Sequence, residues 1–116
     1  MHCYHIYFQE LVGFSTTFVD IHRLDDVKNA IKPSTKVLYF ESMSNPTLAV
    51  ADIPFLSSIA HEENVKVVVD NTFAQMIISP TRLGADVVIH SISKYISGSA
   101  DVIAGAVLCY NHNTTG

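Results

Sequence analysis

Three short apolar runs, each closing on polar side chains and separated from the next by a segment of different periodicity, constrain this chain more than any other feature. The first, Val37-Leu38-Tyr39-Phe40, leads into Ser42, Ser44 and Asn45. The second, Val67-Val68-Val69, ends in Asp70-Asn71-Thr72, and the third, Val87-Val88-Ile89, runs through His90 to Ser91, Ser93 and Lys94. Runs this short and this rich in β-branched residues read as strands. The unbroken valines of the second argue for burial on both faces.

Between the first two runs, Ile53, Leu56, Ile59 and Ala60 recur at helical spacing. Asp52 is placed to cap that helix, and Pro54 is tolerated in its first turn. An earlier helix is expected over residues 24–31, where Leu24, Val27 and Ile31 share a face before Pro33. Residues 15–20 read as a further β-rich run, and residues 102–109 as a last one. The connection before the third strand contains Pro80 and Gly84.

Strand, helix, strand in this rhythm predicts an α/β fold of right-handed βαβ units, with a mainly parallel sheet and helices on both faces. Ligands of such sheets bind at the carboxyl ends of the strands. Asn45, Asp70, Ser91, Ser93 and Lys94 all fall at those ends.

Composition excludes several classes. A formal net charge of −4 leaves no basic stripe, so nucleic acid is not an expected partner. No apolar stretch reaches the roughly 18 residues of a membrane span, so no membrane is expected either. Cys3 and Cys109 lie near opposite ends and make no C-x-x-C pair. They imply neither a disulfide framework nor a metal site, and the reading is of a soluble, cytoplasmic protein. With 116 residues there is room for one domain at most, and no internal boundary interrupts it. Hydrophobic residues make up 48% and charged residues 16%, which is slightly apolar for a free-standing domain and points to surface that something else covers.

The residue types at the strand ends have compatible chemistry. A lysine at the mouth of an apolar site loses its proton more easily than one in water, and a neutral amine forms a Schiff base with an aldehyde. A carboxylate opposite a pyridine nitrogen keeps it protonated, and the hydroxyls of Ser91 and Ser93 suit a phosphate. By position alone, a lysine after a strand is most often a solvated loop residue, and an aspartate there is often a cap. Tyr39, Phe40 and Phe55 read as core, and His90 as a hydrogen-bonded core histidine. A phosphoacceptor signalling domain would also place an aspartate, a hydroxyl and a lysine at strand ends, but on separate strands, whereas Ser91 and Lys94 share one segment.

The motifs Phe40-Glu41-Ser42-Met43-Ser44-Asn45-Pro46-Thr47, Val67-Val68-Val69-Asp70-Asn71-Thr72-Phe73 and Leu83-Gly84-Ala85-Asp86-Val87-Val88-Ile89-His90-Ser91-Ile92-Ser93-Lys94-Tyr95-Ile96-Ser97-Gly98 closely resemble those of the pyridoxal-phosphate enzymes of cysteine and methionine metabolism. That group contains the cystathionine synthases and lyases and the methionine gamma-lyases, and the wording is most like the plant-type gamma-lyases. The resemblance implies a fold type I transferase large domain, of which residues 1–116 are a partial, central piece.

It implies pyridoxal 5'-phosphate as cofactor, held covalently by Lys94. Asp70 would stand on the pyridine nitrogen, Ser91 and Ser93 on the phosphate, and Asn45 near the ring oxygen. The implied substrate is a sulfur amino acid, with L-methionine gamma-elimination foremost and cystathionine beta- or gamma-lyase or gamma-synthase chemistry as alternatives. The family's assembly is homotetrameric. Its ring-stacking tyrosine, its upstream phosphate loop and its substrate-carboxylate arginine have no match here. A non-catalytic fragment that associates with full-length relatives is therefore a further alternative.

Overall fold

Alternation along the strands decides which side of the sheet is buried. In a computed structural model that describes residues 13–44, 49–91 and 104–110, strands β1 (Val37–Glu41), β2 (Lys66–Asp70), β3 (Val87–Ser91) and β4 (Gly105–Cys109) form one sheet in that spatial order. β1 pairs with β2 and β2 with β3 in parallel, whereas β4 returns antiparallel to β3. The register sets Phe40 beside Val69 and Val69 beside Val88, so one face carries these three together with Leu38 and Val67. Val67 and Val69 are fully buried.

Both α-helices among the described residues, α1 (Leu24–Ala30) and α2 (Ile53–Glu62), bury residues in the cluster that contains this face: Val27 from the first, and Ile53, Leu56 and Ala60 from the second. Complete burial of a side chain such as Leu56 stabilises by about 1.5–3 kcal/mol. α2 starts where the sequence indicates. Asp52 Oδ1 accepts the Phe55 amide at 3.2 Å, and Pro54 occupies the first turn. The opposite side of the sheet carries Val37, Tyr39, Val68, Val87 and Ile89. There Val37 is 52% and Tyr39 48% exposed.

The connection from β2 to β3 contains a short 3-10 turn, Pro80–Leu83, closed by Gly84 at φ +114°. A Cβ at Gly84 would stand 2.8 Å from Ser57 Cβ on α2, so the site requires glycine for both conformation and space.

At the amino ends of β2 and β3, Asp86 joins three elements. Its Oδ2 accepts the Val67 amide and contacts His61 Nε2, each at 2.8 Å, while Lys66 Nζ stands 3.7 Å from Oδ1. Its own amide donates to Val67 O, and its carbonyl accepts the Tyr110 amide at 2.8 Å. Burial alone would push this carboxyl up, but the Val67 amide, His61 and the Lys66 charge hold it below its ordinary value.

Two sequence expectations change. Residues 15–20 form no strand, and among the described residues no strand pairs with them; Phe14 and Phe18 remain 48% and 59% exposed. Of the three aromatic residues expected in the core, only Phe40 is there. Phe55 lies at the surface, where Lys28 Nζ sits 5.8 Å from its ring centre, and Tyr39 points its hydroxyl elsewhere. The α/β class and the mainly parallel sheet stand as expected. No helix among the described residues is long and apolar enough to cross a membrane.

Candidate active site at the carboxyl edge of the sheet

Parallel pairing brings the ends of β1, β2 and β3 to one edge, and a continuous set of hydrogen bonds ties them together. Ser42, just past β1, donates its amide to Asp70 O at 2.9 Å and its hydroxyl to Asn71 Oδ1 at 2.6 Å. Asn71 is buried. Its Nδ2 donates to Ile78 O at 2.9 Å, and its amide to Ile89 O on β3 at 2.8 Å. The chain leaving β2 is thereby fastened on both sides.

Asp70, at the last position of β2, is half-buried, with its carboxylate fixed by three donors. Thr72 gives Oδ1 both its amide, at 3.0 Å, and its hydroxyl, at 2.6 Å. Tyr39 donates its hydroxyl to Oδ2 at 3.2 Å. The Thr72 oxygen in turn accepts the Ser91 amide at 3.1 Å, and Gln75 Nε2 donates to the Ser91 carbonyl at 3.2 Å. Burial, then the charge of Asp70 and the hydrogen bond to it, push the Tyr39 phenol up to about 12, so it stays protonated and donating throughout the neutral range.

Of the residues singled out in the sequence, Asp70 and Ser91 are thus brought to one place, joined through Thr72. Asn45, Ser93 and Lys94 lie outside the described residues. His90 is partly buried, and its Nδ1 has no hydrogen-bond partner among the described residues. Sequence reasoning assigned no site role to Tyr39 or Thr72 and did not single out Gln75. For Tyr39 a signal existed, because alternation sets it on the side of β1 that faces Asp70 once the register is known.

The edge offers a carboxylate held in one orientation and a neighbouring strand end with its backbone engaged. A carboxylate has about four acceptor positions, and the described residues fill three of those on Asp70. The remaining position, on Oδ2, suits one further hydrogen-bond donor. No group of three or more metal-ligating side chains occurs among the described residues.

Comparison with known proteins identifies the family. The chain belongs to the Cys/Met metabolism PLP-dependent enzyme family, whose model matches residues 2–116. It is 65% identical over 102 residues to the methionine gamma-lyase of Arabidopsis thaliana, covering 87% of this chain and 23% of that protein. It is 49% identical over 96 residues to a cystathionine beta-lyase of Lactococcus lactis subsp. cremoris, covering 82% of this chain and 25% of that protein. Among solved structures it superposes with a TM-score of 0.86, at 34% identity, on a putative O-acetylhomoserine (thiol)-lyase of Campylobacter jejuni that carries a pyridoxyl-lysine phosphate. The match covers 91% of this chain and 27% of that one. The chain spans about a quarter of the length of the relatives it matches.

Proposed function

We propose that this chain is a central part of the cofactor-binding domain of a carbon–sulfur lyase acting on sulfur amino acids, with gamma-elimination of L-methionine to methanethiol, 2-oxobutanoate and ammonia as the parent reaction. The observation that carries this reading is the Asp70 carboxylate. It is oriented by Thr72 and Tyr39 at the sheet edge that Ser91 also reaches, with an acceptor position left on Oδ2.

Pyridoxal phosphate, when bound, supplies an electron-withdrawing ring that takes up the electron pair released at the substrate's α-carbon. Asp70 keeps the ring nitrogen protonated by facing it with a fixed negative charge. Ser91 and Ser93 would donate hydroxyl hydrogen bonds to the phosphate, and Asn45 would serve the ring oxygen, as the family resemblance implies. Lys94 would hold the cofactor through its amine, and its Nζ would be the group that carries protons. The 65% identity to a plant methionine gamma-lyase supports methionine as the substrate over cystathionine.

The test is to incubate the full chain with pyridoxal phosphate, reduce with borohydride and map the modified peptide by mass. A pyridoxyl label on Lys94 that disappears in Lys94→Ala is the expected result. No label, or a label on another lysine that persists in Lys94→Ala, would overturn it.

A further inference from the structure

Tyr39 is exposed over about half its surface (48%) in a position that the alternation of β1 would allow any apolar residue to fill, yet its hydroxyl is engaged. It reaches diagonally from β1 to the carboxylate at the end of β2 and donates to Oδ2 at 3.2 Å. Because both Thr72 donors use Oδ1, Oδ2 is the oxygen left for a ligand. Any donor arriving at Asp70 from the cofactor side therefore shares that oxygen with Tyr39.

We propose that Tyr39 is a positioning residue that acts through Asp70. It fixes the carboxylate's rotation and, by taking part of the charge on Oδ2, moderates how firmly Asp70 holds the proton of a bound cofactor's ring nitrogen. This rests on the reading of the edge as a pyridoxal-phosphate site. A hydrogen bond to an ionised acceptor is among the stronger neutral-donor contacts, and a second donor on the same oxygen competes for the same electron density. Phenylalanine at this position keeps the ring and its packing and removes only the competitor. Asp70 then holds a ring-nitrogen proton more tightly.

Two measurements decide the matter. In the cofactor-free chain, ultraviolet titration of the tyrosines follows the phenol that ionises near about 12. That transition is absent in Tyr39→Phe and moves down in Asp70→Asn, and a transition unmoved in Asp70→Asn would overturn the contact. In the chain loaded with ring-15N pyridoxal phosphate, the nitrogen resonance reports ring protonation against pH. Tyr39→Phe should raise the deprotonation midpoint by ~0.5 unit or more, and an unchanged or lowered midpoint would overturn the role of Tyr39 while leaving the cofactor site intact. A wild-type chain that shows no bound resonance at all would instead overturn the cofactor reading, and this proposal with it.

Discussion

Thr72 Oγ1 gives its proton to Asp70 Oδ1 at 2.6 Å and takes the Ser91 amide proton at 3.1 Å, so one hydroxyl serves both strand ends of the candidate site. Threonine does this because its hydroxyl is donor and acceptor at once. Thr72→Val keeps the shape but removes the acceptor of the Ser91 amide and the hydroxyl donor to Asp70, at a cost of ~1–3 kcal/mol. Thr72→Ser should restore most of it. Urea denaturation measures the loss, and faster hydrogen exchange at the Ser91 amide locates it.

Asp86 makes stability depend on pH with a definite sign. Its folded carboxyl titrates below its ordinary value, so its contribution is fully present above the unfolded value near ~3.9 and is lost as pH falls through the folded one. Thermal melts of the wild type should fall away as pH drops below about 4. Asp86→Ala flattens that limb, and by stranding the Val67 amide lowers stability at neutral pH by ~1–3 kcal/mol.

Gly84→Ala places a methyl group against Ser57 Cβ and holds a left-handed conformation without glycine. Together these cost ~1–3 kcal/mol. Gly84→Ala combined with Ser57→Gly relieves the clash alone, so denaturant titration of the pair separates crowding from backbone strain.

Asp52→Ala removes the acceptor for the Phe55 amide at the start of α2. An N-cap of this kind contributes ~0.5–2 kcal/mol, and Asp52→Ser should recover most of it. Thermal denaturation of the three chains provides the comparison.

The strands from Val37 to Ser91 and the helix after Asp52 were legible in the sequence because period-2 and period-3.6 patterns depend on burial alone, which each segment records for itself. Residues 15–20 misled because β-branched content says nothing about whether a partner strand is present. Asp70 and Ser91 were found as strand-end polar groups. Tyr39 was read as core and Thr72 was named at its strand end without a role, because both roles come from register between strands far apart in the chain. Asp86, given no role of its own in the sequence, shows the same limit: its partners His61, Lys66 and Val67 belong to the preceding helix and strand.

β2 carries its two polar clusters at opposite ends, with Asp86 gripping the Val67 amide near its start and Thr72, Tyr39 and Ser91 gathered around Asp70 at its finish. Three residues of strand hold these ends about 10 Å apart, far enough that changes at one should add to changes at the other. Polar groups at the finish of β2 can therefore be substituted while the fastening at its start goes on holding the sheet, so the two ends of this short strand answer to mutation as separate units.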